Sequence, residues 1–331
     1  MTTIWYLPLE HLDMRYTDMM DKKIIETLEK NNKTYKRIYG KELTKNIDTG
    51  AFLDSEGTNY FKASQIMKVC ELFKKNKIKD KDKFFISDLW FPGLEAIPYM
   101  ANFKNIDIEI YGIFHAGSWT DTDYVNSMKE WARPVERGWI NFCKGIFLGS
   151  EFIKQDMIRK FQLNPKEIEK LHVTGLVYDS KEIEKYKSKK KEDIIVFPHR
   201  LDDEKQPYLF DEFIEKIKKV KPNIKSVKTH ELHLKKEDYL KLLGKSKIMF
   251  SAALQENFGY ATLESCSLGV VPVVPNRLSY RDFYPKKFRY ETIDEAVEIA
   301  LKYLDNPVDL SYIPKRFDNS VDRMIDIMCS K

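Results

Sequence analysis

Residues 247–275, KIMFSAALQENFGYATLESCSLGVVPVVP, constrain the fold more tightly than any other stretch. Lys247-Ile248-Met249-Phe250-Ser251 is a short apolar run and reads as a buried strand. Gln255-Glu256-Asn257 is a polar turn. Apolar positions follow at Phe258, Ala261, Leu263 and Leu268, a helical pattern, and Gly269 stands where a helix ends on a left-handed C′ residue. Val270-Val271-Pro272-Val273-Val274-Pro275 is then a second buried strand. Two strands joined through a helix run parallel, with a right-handed crossover between them. An α/β fold is therefore expected around this unit.

The same alternation recurs along the chain. Residues 3–7, 84–87, 106–114 and 171–175 read as strands, and 145–150 as strand and turn. Helices are expected over 17–28, 63–73, 122–131, 135–142 and 151–161, with Ser150 capping the last. Ser55-Glu56-Gly57-Thr58 reads as a turn, and Trp90-Phe91-Pro92-Gly93 as the opening of a helix through Tyr99. Residues 181–192, KEIEKYKSKKKE, are charged and poor in apolar side chains, which makes them the linker candidate. A second series then starts with a strand over 193–198. The helix 206–220 carries Leu209, Phe210, Phe213, Ile214 and Ile217 on one stripe. A strand over 226–229 and helices over 236–243, 293–304 and 318–328 complete it. The expected organisation is an N-terminal Rossmann-like domain over 1–178, a C-terminal one over 193–315, and a terminal helix in 316–331 that packs back on the first.

A chain of 331 residues with 43% hydrophobic content suits two packed domains. No apolar run approaches the roughly 18 residues of a membrane helix, and the N-terminus lacks the basic and apolar regions of a signal peptide. Cys70, Cys143, Cys266 and Cys329 are scattered without metal-ligand spacing, as in reduced thiols of a cytoplasmic protein. The net charge of +5 is compatible with a polyanionic partner.

The loop before the 258–268 helix lies at the carboxyl end of a parallel strand, where open α/β sheets bind ligands. The amides of Asn257, Phe258 and Gly259 would face an anion such as a diphosphate at the helix N-terminus, and Gly259 lets it come close. Glu264, about two turns into the helix, would reach a ribose, and Glu256 a sugar beyond the phosphates.

Glu256-x7-Glu264 followed by the Gly-Val-Val-Pro-Val-Val strand resembles the nucleotide-sugar site of retaining GT-B glycosyltransferases of the GT4 type. The loop His199-Arg200-Leu201…Glu204-Lys205 is similar to the same family's Gly-Arg-Leu…Glu-Lys-Gly loop, with His199 in place of its first glycine and Gln206-Pro207 in place of its last. The resemblance implies two Rossmann-like domains facing each other across a cleft, a nucleoside-diphosphate sugar as donor, no cofactor and no metal. It implies that Arg200 and Lys205 bind the diphosphate and that His115, at the end of a first-domain strand, lies near the donor sugar. Glu10 and Arg15, after the first strand, with Asp88 and Trp119, are expected on the acceptor side.

LPLE…RYT and Trp90-Phe91-Pro92-Gly93 look like bacteriophage glycosyltransferases that decorate modified DNA bases. The implied acceptor is a 5-hydroxymethylpyrimidine in DNA. Lys33, Lys36, Arg37, Lys41 and Lys45, the tract 74–83, and the aromatics Tyr35, Tyr39, Tyr60 and Phe61 would bind the nucleic acid. A cell-surface polysaccharide or tRNA acceptor, a GT-B nucleotide-sugar epimerase and a catalytically dead nucleotide-sugar binding module are the alternatives.

Overall fold

The computed structural model describes residues 2–12, 16–43 and 54–330. The chain forms two compact units. The first comprises residues 1–177 and 320–331, and the second residues 178–319.

The first unit carries the strands β1 (Ile4–Leu7), β2 (Tyr35–Arg37), β3 (Lys83–Ile86), β4 (Glu109–Ile113), β5 (Gly145–Leu148) and β6 (Leu171–Val173). Its helices are α1 (Thr17–Lys30), α2 (Ser55–Lys74), α3 (Ala96–Phe103), α4 (Lys129–Phe142), α5 (Glu151–Phe161) and α6 (Pro165–Ile168). The sheet runs β2-β1-β3-β4-β5-β6, and every pair is parallel, with Tyr6 opposite Phe85 and Phe85 opposite Tyr111. β1 and β5 are buried throughout, which is why they read as unbroken apolar runs. Trp5, Leu7, Phe84, Ile86, Trp119 and Trp139 lie in one core, each with 2% exposure or less.

The second unit carries α7 (Ser180–Glu184), β7 (Ile194–Phe197), α8 (Pro207–Val220), β8 (Lys225–Lys228), α9 (Lys236–Lys245), β9 (Ile248–Phe250), α10 (Tyr260–Ser267), β10 (Val271–Pro275), α11 (Tyr280–Phe283), β11 (Arg289–Tyr290), α12 (Ile293–Leu304) and α13 (Tyr312–Lys315). Its sheet runs β11-β10-β9-β7-β8, also parallel throughout. α14 (Ser320–Cys329) returns to the first unit, against α1 and β5.

Several local readings need correction. The turn expected at Ser55–Thr58 is the first turn of α2. Asp54 caps that helix by accepting from the Gly57 amide at 2.9 Å. A Cβ on Gly57 would come within 2.3 Å of the Asp54 carboxylate, so the glycine makes room for the cap. The helices expected over 122–131 and 135–142 are a 3₁₀ turn, Tyr124–Met128, followed by the single helix α4 with Pro134 inside it. Proline costs that helix one backbone bond without ending it. Residues 181–192 belong to the second unit. They carry most of α7, and Lys191 donates to the carbonyls of Gly244 at 2.8 Å and Leu268 at 2.7 Å.

Candidate active site

In the second unit the strand order reverses between β7 and β9, because β8 lies beyond β7 while β9, β10 and β11 extend the other way. Loops at such a switch point open away from each other and leave a crevice at the carboxyl ends of the strands. The loop after β7 holds His199, Arg200 and Lys205, and the loop after β9 holds Glu256. The Leu254 amide donates to the Glu204 carbonyl at 2.7 Å and joins the two.

Lys205 is mostly buried. Its Nζ donates to the Gln255 carbonyl at 2.5 Å and stands 3.7 Å from Glu256 and 3.6 Å from Glu204. Arg200 is about one-third exposed and pairs with Asp202 at 3.0 Å and Glu204 at 2.9 Å. The structure thus brings Arg200, Lys205 and Glu256 together from sequence positions some 50 residues apart. Between Glu256 and α10 the chain turns through Gly259, whose φ of +78° favours glycine. The helix begins at Tyr260, so Asn257, Phe258 and Gly259 precede its first turn rather than forming it. Phe258 is buried against Tyr260, Phe283 and Phe317, and the amides of Tyr260 and Ala261 begin the helix. Glu264 is 7% exposed and forms an ion pair with Lys236 of α9. It also raises the pKa of the Tyr178 and Tyr239 hydroxyls, though burial is the larger cause for both.

His199 is 6% exposed and its ring meets Phe197 edge-on at 5.2 Å. Burial, with Lys205 and Arg200 adding to it, pushes its pKa down to about 3, so the ring is neutral. Its Nε2 has no hydrogen-bond partner among the described residues.

In the first unit the order reverses between β1 and β3. Glu10, after β1, is 4% exposed. Its Oε1 accepts from the Thr58 hydroxyl, and its Oε2 has no partner among the described residues. Asp88, after β3, accepts from the buried Lys62 ammonium at 2.7 Å and from the Trp90 amide at 3.2 Å. His115, after β4, donates from Nε2 to the Ser87 carbonyl at 2.9 Å, which leaves Nδ1 to accept from the Tyr16 hydroxyl at 3.3 Å. Burial lowers its pKa against an opposing pull from Asp88. Arg15 lies outside the described residues, as does Lys45. Trp119 corrects the sequence reading. It is fully buried between Phe114 and Phe161 and offers no face to a ligand. Phe61, at 1% exposure, cannot stack on a base either.

Sequence reasoning missed Lys62, Glu136, Lys236 and Arg277. Glu136 is buried and accepts from the Ser118 amide at 2.8 Å and the Trp90 indole at 3.0 Å, clamping the loops after β3 and β4. Arg277 donates to the carbonyls of Ala252 at 2.7 Å and Ala253 at 3.0 Å and to the Gln206 amide oxygen at 3.1 Å, so it braces both loops of the switch point. It also borders an open hollow of about 390 Å³ shared with Gln206, Leu254 and Tyr290. An arginine just past the apolar strand β10 was the available signal.

No protein-family model matches the sequence. The chain is 30% identical over 121 residues to tRNA-queuosine alpha-mannosyltransferase of Drosophila melanogaster, a match covering 30% of this chain and 32% of that protein. The chain therefore spans about a third of the curated relative it matches. Among solved structures it superposes on sucrose-phosphate synthase from Thermosynechococcus elongatus with a TM-score of 0.61 at 9% identity, over 99% of this chain and 96% of that one. The pneumococcal O-GlcNAc transferase GtfA, solved with UDP and GlcNAc, gives 0.59 at 9% identity, over 99% and 98%. TarM, known also from an S. aureus mutant structure, gives 0.52 at 17% identity, over 79% and 58%. The fold is the GT-B architecture of two Rossmann-like domains. Among the described residues no helix is long and apolar enough to cross a membrane.

Proposed function

We propose that the chain is a retaining glycosyltransferase of the GT4 type that moves a sugar from a nucleoside diphosphate to a hydroxyl on a modified nucleoside of nucleic acid. The observation that carries this reading is the meeting of Lys205 and Glu256, 3.7 Å apart, at the switch point of a parallel sheet. As the bond between the anomeric carbon and the diphosphate breaks, the electron pair stays on the phosphate oxygen. Lys205 and Arg200 stabilise that growing charge. Arg200 presents a planar fork and is exposed enough to leave its carboxylate partners for a diphosphate. The acceptor oxygen attacks the anomeric carbon on the face the diphosphate leaves, and its proton passes to the departing phosphate oxygen. Glu256 orients the sugar, and the amides at the start of α10 hold phosphate oxygens. Glu264 accepts from the ribose hydroxyls once Lys236 yields. The family resemblance assigns His115 a role towards the donor sugar. Two cations and a helix terminus meet the electrostatic demand of this reading without a metal.

The same reading assigns the acceptor side to Glu10 and Asp88, which follow β1 and β3 at the switch point of the first sheet. We place a modified tRNA nucleoside first as acceptor, on the similarity to a protein that bears a tRNA-modifying name. Lys74, Lys75, Lys77, Lys79 and Lys81 are exposed and suit a polyanion, although Lys75 pairs with Glu71 and Lys81 with Asp107. A 5-hydroxymethylpyrimidine in DNA is the second reading, carried by the LPLE and WFPG strings. Both place the enzyme in the cytoplasm.

The test has two stages. UDP-, GDP- and ADP-sugars are screened by thermal shift, since a ligand of the folded state raises its melting temperature. The sugars that bind are then offered with total tRNA, with duplexes carrying 5-hydroxymethylcytosine or 5-hydroxymethyluracil, and with a glycan. Mass-resolved transfer to tRNA is expected. Transfer to the glycan alone would replace the nucleic-acid acceptor. An epimerised sugar without acceptor would replace the reaction, and binding without any turnover would leave a binding module.

A further inference from the structure

His199 enters none of the steps above, yet it stands beside both cations of the donor loop. Its ring is almost wholly buried, its Nε2 finds no partner among the described residues, and its charged neighbours are Lys205 and Arg200. Asp202, Glu204 and Glu256 face those cations in turn. The backbone does not explain the residue, since His199 is not among the positions with positive φ. Nor does packing explain it, because an apolar side chain would fill the space beside Phe197 without stranding a ring nitrogen.

We propose that His199 is a third phosphate ligand of this loop, a ring that stays neutral while the loop is empty and takes up a proton when the donor's diphosphate arrives. The inference rests on the donor reading above. An incoming diphosphate neutralises Arg200 and Lys205, the two charges that help burial keep the ring deprotonated. It also supplies the acceptor that Nε2 lacks. The proton comes from solvent, Nε2–H donates to a phosphate oxygen, and no covalent bond changes. The loop then holds three positive groups against a leaving group that gains negative charge as its bond to the sugar breaks.

A nucleotide sugar is the right probe, because its two phosphates do not titrate near neutrality, whereas the terminal phosphate of a free nucleoside diphosphate does. Calorimetric titration with the UDP-, GDP- or ADP-sugar that stabilises the protein, in two buffers of unlike ionisation heat, counts the protons exchanged. Net uptake is expected between the free ring's pKa, near 3, and the higher pKa of the complex. Within that window affinity should rise roughly tenfold for each unit the pH falls. His199→Asn keeps a donor that cannot titrate, and should bind with no proton uptake and a flat pH profile. A ¹⁵N spectrum of the wild-type ring should move from the neutral to the doubly protonated form on saturation. Binding of the sugar without uptake, or uptake that persists in His199→Asn, overturns the proposal while the donor site stands. Absence of binding by every nucleotide sugar at every pH overturns the donor reading and this inference with it.

Discussion

At the scale of single residues, two predictions separate folding from chemistry. His199 binds no proton until about pH 3 in the folded chain, whereas the same ring in the unfolded chain protonates near its ordinary pKa of about 6.5. The unfolded state therefore holds more protons between those limits, and stability falls as the pH drops from about 6.5 towards 3. The slope approaches about 1.4 kcal/mol per pH unit for one fully buried group. His199→Leu should flatten that part of the profile in urea titrations at stepped pH; an unchanged acid limb would show that the ring is already charged in the native state. Lys205 is different, because the role proposed for it is in the reaction. Under the proposed mechanism, Lys205→Ala should lower kcat by roughly 100-fold to 1,000-fold, the loss typical of one oxyanion-stabilising group. Its circular dichroism should be unchanged, and unaltered turnover would remove Lys205 from the reaction.

At the scale of elements, α10 shows how little of a site depends on its own sequence alone. Its C-terminus is a Schellman motif: the Gly269 amide donates to the Cys266 carbonyl at 3.0 Å and the Val270 amide to the Ser265 carbonyl at 2.8 Å, with Gly269 at φ +70°. That ending was legible, because a glycine between an amphipathic run and an apolar strand has few other uses. The Lys191 bond to Leu268, the last carbonyl of the same helix, was not legible, since a lysine in a charged tract looks solvated until the fold brings it back. Lys236 and Glu264, 28 residues apart, were likewise joined only by packing. The central strands were legible because parallel strands are apolar on both faces, but β2, which is largely exposed, and β11, only two residues long, were not expected. Gly57 and Pro134 misled because a cap and a long helix outweighed their local preference. Gly269→Ala should cost about 1–2 kcal/mol from the left-handed backbone. Lys191→Met should cost about 2 kcal/mol, because it strands two helix-end carbonyls. Both are read as lowered urea midpoints, and a loss confined to the glycine variant would make the Lys191 contacts dispensable.

At the scale of the whole molecule, the chain leaves the first unit after Val177 and re-enters it at Ser320, so the first unit is completed only by residues that follow the whole of the second. α14 buries Val321, Met324, Ile325 and Met328 there. Asp322 accepts from Asn31 at 3.1 Å, and Arg323 donates to the Thr174 carbonyl. Four buried apolar side chains contribute about 6–12 kcal/mol of transfer free energy as an upper figure. The net stability of a domain is only about 5–15 kcal/mol. Losing the helix should therefore unfold the first unit rather than loosen it. The second unit has its own sheet. Truncation after Asn319 should strip hydrogen-exchange protection from α1 and β5 while β7, β9 and β10 stay protected. Under the donor reading, nucleotide-sugar binding through the second unit should survive where transfer to an acceptor is lost. Met324→Ala, a milder change, should cost about 2–5 kcal/mol and lower only the transition of the first unit. If both units lost protection together in the truncated chain, the second sheet would depend on the first, and the proposed division of labour between a donor and an acceptor unit would fail with it.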